Sequence, residues 1–290
     1  MENTQLFTQA IREATGHEPL IREIRYQGGG CINNSVILAT DLGNFFIKYN
    51  SAIPRDMFEK EAMGLNLLAT TGTIRIPELY GYGKIGNFDY LILEQIIPGP
   101  LKMGFWQDFG HHLATLHRNY GSDRYGLDYP NYIGRLPQPN TWHEDWITFF
   151  IQCRIEIQLH AAVDKGLIRK SLAGRFGNLY SRLQDLLPIE KPSLLHGDLW
   201  GGNFVASSEG EAVLFDPAVY YGHREMELAF TKMFGGFDDE FYQAYNETWP
   251  LERGFNSRIA IYNLYPSLVH LNLFGTSYLP GIVEVIERYA

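Results

Sequence analysis

Leu194-Leu195-His196-Gly197-Asp198-Leu199-Trp200-Gly201-Gly202-Asn203 is the stretch on which the reading of this fold turns. A short apolar strand runs into a tight loop that carries an acid, Asp198, and an amide, Asn203, with paired glycines between them. Further on, Val213-Leu214-Phe215 reads as a second apolar strand that delivers another acid, Asp216, at its end, followed by Pro217-Ala218.

The spacing H-x-D-x-x-x-x-N is that of a kinase catalytic loop. Its physical reason is that one transferred phosphoryl must be gripped from two sides. A carboxylate accepts or orients the proton of the attacking hydroxyl, and an amide oxygen reaches a magnesium ion beside the phosphates. Asp198 is therefore the candidate base, and Asn203 and Asp216 are the candidate Mg2+ ligands. Asp216 precedes Pro-Ala where protein kinases have Phe-Gly, which keeps the carboxylate but not the basis of their mobile switch.

Upstream, Phe46-Ile47-Lys48 closes an apolar strand, and Glu61 opens an E-A-x-x-L-x-x-L helix pattern through Leu68. A lysine that grips the α and β phosphates needs a carboxylate to position it. Glu61 is preferred over Glu59, which would point about 160° away on a helix. Gly28-Gly29-Gly30-Cys31 lies between two strands, where glycines let backbone N–H groups approach a phosphate. No G-K-[ST] follows, so this is not a Walker A loop.

Working outward, apolar periodicity predicts a helix over 4–15, strands at Ile21–Gln27, Ser35–Thr40 and Asn44–Asn50, a helix over 55–69, and strands near 78–83 and 88–94. Pro98-Gly99-Pro100 then breaks the chain. Helices are expected over about 103–119, 141–164, 168–187, 223–233, 238–247 and 255–274, with short strands near 193–196, 203–206 and 212–216. The Gly-, Pro- and Tyr-rich stretch 121–140 reads as a long functional loop. The last forty residues show no legible chemistry and are expected to pack the second lobe. The expected class is α+β, with a small antiparallel lobe over 1–97 carrying one key helix, a larger helical lobe over 98–290, and ATP between them.

The formal net charge of -9, without a basic run, argues against nucleic acid. Two cysteines make no disulfide framework or metal motif. No basic-then-apolar leader and no long apolar run are present, so the expectation is a cytoplasmic protein without a membrane span. Gly81-Tyr82-Gly83-Lys84-Ile85-Gly86 matches G-x-G-x-x-G but opens no helix, and is read as a hairpin turn. His112 and His117 are wrongly spaced for a helical metal pair and are assigned to a packed or solvent-facing helix, while Cys153 is assigned to inert core. His196 is expected to be buried, bracing the loop. Cys31, beside the expected phosphates, is a candidate redox thiol whose oxidation into an intermolecular disulfide would block ATP; the protein is otherwise expected to be monomeric.

Together these motifs resemble the protein-kinase-like phosphotransferases, and more narrowly the fructosamine kinase (ketosamine 3-kinase) family. The narrower resemblance rests on His196 to Asn203, on Asp216-Pro217-Ala218-Val219-Tyr220-Tyr221-Gly222-His223-Arg224-Glu225-Met226-Glu227-Leu228-Ala229, on the Gly-Gly-Gly-Cys-Ile-Asn loop and on Met57 to Ala62. It implies a protein-kinase-like fold and ATP- and Mg2+-dependent phosphorylation of the 3-hydroxyl of a ketosamine, free or on a glycated lysine, as deglycation. It further implies a hinge for adenine at Glu94-Gln95-Ile96-Ile97, a sugar wall at Trp200, and pocket neighbours at Tyr220, Tyr221 and His223. The alternatives are a phosphotransferase for another small alcohol (an aminoglycoside, choline or sugar) and a non-catalytic nucleotide-binding module.

Overall fold

The computed structural model describes all residues except 1, 29–32, 55, 119 and 120. They form two compact units: residues 1–105 with 203–217, and residues 106–202 with 218–290.

In the first unit, helix α1 (Glu2–Thr15) leads into strands β1 (Ile21–Gln27), β2 (Asn34–Thr40) and β3 (Gly43–Asn50), helix α2 (Met57–Ala69), and strands β4 (Leu79–Ile85) and β5 (Phe88–Glu94). The five strands pair antiparallel in the order β1-β2-β3-β5-β4. The G-x-G-x-x-G stretch forms the β4–β5 hairpin, with Gly86 at φ 58° in its turn.

Strand alternation decides what lies on each face of this sheet. Phe45, Ile47 and Tyr49 of β3, with Tyr90 and Ile92 of β5, pack with Phe7, Ala10 and Ile11 of α1. Leu91 and Leu93 of β5, with Phe46, pack with Phe58, Ala62 and Leu65 of α2. A fully buried side chain of this size contributes roughly 1.5–3 kcal/mol, so α1 is a second cover of the sheet rather than an appendage. The same parity puts Lys48 on the α2 face, with Phe46.

Residues 203–217 add the two-stranded ladder Phe204–Ala206 with Ala212–Leu214 to the first unit. A parallel bridge from Val213 to Arg75, with Leu214 N–H donating to the Arg75 carbonyl at 3.1 Å, ties it on.

The second unit is mainly helical. Glu156–Asp164 packs on Leu264–Phe274, and Arg224–Thr231 packs on Phe255–Tyr262. The stretch expected as one helix over 168–187 is instead three short ones, Lys170–Ala173, Phe176–Tyr180 and Leu183–Leu186, with Gly174 ending the first. The expected helix over 255–274 breaks at Asn263, whose side chain donates to the Ala229 carbonyl at 2.9 Å. The long loop holds a small hairpin, Asn131–Ile133 with Leu136–Gln138. A helix not anticipated, Leu279–Tyr289, packs on Leu264–Phe274 with Ile282 and Ile286 fully buried. No helix among the described residues is long and apolar enough to cross a membrane.

Candidate active site

Lys48 is 6% exposed, and its ammonium donates to Glu61 Oε1 at 2.6 Å and to Asp216 Oδ1. Burial alone would drive the proton off Lys48, but the carboxylates of Asp216 and Glu61 outweigh it and hold the pKa above the ordinary lysine value. Burial pushes the Glu61 carboxyl up, and the Lys48 charge opposes it. Glu59, by contrast, is half-exposed and meets Lys60. Strand parity and helix phase therefore meet at one buried cation with two acids.

Asn203 and Asp216 come together because the ladder that pairs Phe204 with Leu214 continues one step, with Phe215 N–H donating to the Asn203 carbonyl at 3.1 Å. Both side-chain positions thus stand at the same end of a two-strand ribbon. Asp216 sits at φ 57°, the only positive φ on a non-glycine residue among those described. Such a conformation costs about 1–3 kcal/mol and persists only where its surroundings over-determine it. The Lys48 contact and the ribbon supply that. The Asp216 side chain is 43% exposed, so a carboxylate edge remains for a ligand. Mg2+ takes few protein donors and fills its octahedron with phosphate and water oxygens, so an exposed carboxylate beside an amide fits it.

Of the expected hinge, Glu94 is committed internally. Its N–H donates to the Glu78 carbonyl at 2.8 Å, and its carboxylate takes Arg75 at 2.8 Å and the Glu78 N–H. The Ile97 carbonyl accepts from Ser208 N–H at 2.8 Å. Gln95 Oε1 is buried without a partner among the described residues. Gly28 is exposed, whereas Gly29, Gly30 and Cys31 lie outside the described residues.

In the second unit, the Asp198 loop is built around a buried acid the sequence reading did not single out. Glu227 accepts the backbone N–H of His196 at 3.1 Å and of Gly197 at 2.7 Å. It also accepts His117 Nε2–H at 2.9 Å, and His117 Nδ1 bonds the Tyr245 hydroxyl at 2.8 Å. Burial would raise the Glu227 pKa, but the His117 bond, the neighbouring histidines and the Gly197 N–H hold it below the ordinary carboxylate value. His196 is fully buried, and its Nδ1 accepts the Asp198 N–H at 3.3 Å. Gly197 stands at φ 84°, and a Cβ there would lie 2.0 Å from the Ala218 carbonyl oxygen, so only glycine fits before Asp198. The one sequence signal for Glu227 was its place in the Tyr-Tyr-Gly block. His117 had been weighed only as packing.

A cleft opens at Asp198, lined by Gly197, Tyr220, Glu227, Phe230, Tyr265 and His270 among others. Tyr220 is thus brought to Asp198, with the fully buried Arg154 guanidinium 3.9 Å from its ring centroid. Trp200 is 38% exposed and meets Phe234 edge-on, with ring centroids 5.6 Å apart. Tyr221 stacks on Trp142 at 6.1 Å, and its backbone pairs with Gly126.

His223 is not brought to the cleft. It is fully buried as the N-cap of Arg224–Thr231, where Nδ1 accepts the Glu225 N–H at 3.2 Å and Nε2–H faces the Pro188 carbonyl at 3.2 Å. Only the neutral ring satisfies both partners, and burial, against the pull of Glu190, lowers its pKa to about 4. Below pH 6.5 the unfolded chain binds a proton that the folded chain refuses, so acid costs stability, by about 3 kcal/mol between pH 6.5 and 4. His223→Asn keeps a capping oxygen without the ionisation. Its thermal midpoint is expected to fall less than that of the parent over this range. Parallel pH profiles would assign the acid sensitivity elsewhere.

The model of the family described as fructosamine kinase matches residues 3–290. A Synechocystis protein assigned as a ketoamine kinase is 39% identical over 289 residues, covering 98% of this chain and 96% of the relative. A chloroplastic protein-ribulosamine 3-kinase of Oryza sativa is 38% identical over 274 residues, covering 90% of this chain and 77% of the relative. A solved Haemophilus somnus protein assigned as a fructosamine-3-kinase superposes with a TM-score of 0.88 at 33% identity, covering 98% and 96% of the two chains. The aminoglycoside phosphotransferase APH(4)-Ia shares the fold alone, with a TM-score of 0.66 at 13% identity. With the family's pattern spanning nearly its whole length on a protein-kinase-like fold, this chain belongs to the fructosamine kinase family.

Proposed function

We propose that this protein is an ATP-dependent ketosamine 3-kinase acting on ribulosamine or fructosamine adducts, free or on glycated lysines, and so serves deglycation. The observation that carries the phosphoryl-transfer reading is the buried Lys48 held by Glu61 and Asp216. A buried lysine oriented by two acids, one of them still reachable by a ligand, is the arrangement with which kinases grip the α and β phosphates of ATP. Family membership supports the ketosamine as acceptor.

In this reading residues 1–97 form the ATP-binding lobe, and residues from 98 onward carry the acceptor site and the base. Lys48 holds the α and β phosphates, the backbone of the Gly28–Gly30 loop approaches them, and the backbone of residues 94–97 meets adenine. Asn203 and Asp216 would hold Mg2+, which neutralises charge on the phosphates when bound. Asp198 takes the proton of the acceptor hydroxyl as its oxygen bonds the γ-phosphorus. The bond from that phosphorus to the β–γ bridging oxygen breaks, and ADP leaves. Trp200 offers a flat ring to the apolar face of the sugar. Tyr220 and Tyr221 belong to its surroundings, whereas His223 caps the helix that carries Glu227. The reading includes a cytoplasmic location and a redox-sensitive Cys31. Equal activity and dimer content with and without reductant would remove the latter.

The experiment is ADP release with Mg2+ on a panel of ribulosyl-lysine, fructosyl-lysine, choline and kanamycin. Turnover on a ketosamine is expected. Turnover only on another alcohol would keep the kinase and remove the repair role, and ATP binding with no turnover would favour a binding module. Lys48→Met is expected to lower kcat/KM for ATP by roughly 10²–10³-fold, the scale of losing one oriented donor to a reacting charge. Unchanged ATP kinetics would take Lys48 out of the phosphate site.

A further inference from the structure

The cleft at Asp198 lies within the second unit. Its wall is mostly apolar, with Met226, Phe230 and Val269 among the lining residues. The polar groups of that wall are largely engaged. Glu227 is taken up by the loop N–H groups and His117, and the Tyr265 hydroxyl donates to Gln138 Oε1 at 2.6 Å. The Tyr220 side chain is held by Arg154.

His270 differs. Its Nδ1 lies 2.7 Å from the Pro266 carbonyl, which can only accept, so Nδ1 carries a proton. Burial lowers the ring's pKa and keeps it neutral at pH 7. Nε2 is then a pure acceptor, and it has no partner among the described residues. Aromatic rings surround the imidazole: Phe234 and Tyr278 at 5.0 Å and Phe274 at 5.4 Å between centroids. An imidazole that can only accept selects a group that donates, and a collar of aromatic faces favours a charged donor.

We propose that His270 reads the amine of the acceptor: Nε2 accepts a hydrogen bond from the protonated amine nitrogen of a ketosamine whose reactive hydroxyl meets Asp198, and the apolar wall takes the alkyl or aryl substituent on that nitrogen. This rests on the ketosamine reading above and adds to it a residue that distinguishes a ketosamine from a plain ketose.

The test compares two acceptors, 1-butylamino-1-deoxyribulose and its ether isostere 1-O-butylribulose, on the whole protein and on His270→Phe and His270→Asn. The parent is expected to prefer the amine by at least about tenfold in kcat/KM. His270→Phe is expected to lose roughly 10- to 100-fold on the amine, mainly in KM, the range of one hydrogen bond to a charged group. The ether and the KM for ATP should be unaffected, and His270→Asn, with its carbonyl oxygen, should recover part of the preference. A His270→Phe protein that keeps the preference, or loses both acceptors equally, overturns the inference and leaves the ketosamine reading standing. No turnover of either acceptor by the parent overturns the reading itself.

Discussion

Asp198→Asn is expected to yield a folded protein whose kcat on its acceptor has dropped by about 10²–10⁴-fold, the usual contribution of a positioned general base. The loop around Asp198 is shaped by backbone groups, through the N–H of residue 198 to His196 Nδ1 and the N–H groups of His196 and Gly197 to Glu227. Asparagine keeps the size of the side chain and one acceptor oxygen, so the thermal midpoint and the KM for ATP should change little. Steady-state ADP release beside a melting curve checks both halves. A kcat within a few fold of the parent would remove Asp198 as the base, and an unfolded variant would mean its carboxylate is structural.

Glu227→Ala is expected to destabilise the protein by about 3–5 kcal/mol, the scale of breaking a buried, paired carboxylate. The loss leaves two loop N–H groups and His117 Nε2–H without their acceptor in a fully buried place. Glu227→Gln, which retains one acceptor oxygen, should lose less stability. At a temperature where it is folded, it should still lose kcat more than ATP affinity, because the loop that aims Asp198 is loosened. The pH dependence carries its own sign. A carboxyl held below its ordinary pKa stabilises fully above the unfolded value of 4.5, and that contribution disappears as pH falls through the folded pKa. The acid limb of the parent's stability profile should therefore be shallower in Glu227→Ala. Equal limbs, or a variant as stable as the parent, would show that the acid is dispensable.

Much of the first unit was legible because its signals are local. Period-2 alternation in 43–50 places Lys48 opposite Ile47 and Tyr49, and helix phase then prefers Glu61 over Glu59. The cover of α1 on the opposite face was less legible, since an amphipathic helix announces that it packs but not where. In the second unit, helix limits failed where short-range breaks compete with apolar periodicity, at Gly174 and at Asn263. His223 illustrates another limit: adjacency to Tyr220 and Tyr221 in the chain suggested a shared pocket, while the turn into the next helix buried it as a cap.

By itself, then, the sequence determined the reaction class and the residues expected to perform it, because a kinase-type loop carries an acid and an amide five residues apart, with a second acid at a strand end and a lysine on a strand. These requirements are met by spacing and survive without coordinates. Only the tertiary structure decided what supports them. Glu227 reaches back 30 residues to the Gly197 N–H, and His117 reaches 110 residues to Glu227. The neutral acceptor at His270 exists only because one carbonyl fixes its tautomer inside an aromatic collar. Buried polar groups must find partners wherever the fold provides them, and no local pattern encodes which distant group will do so.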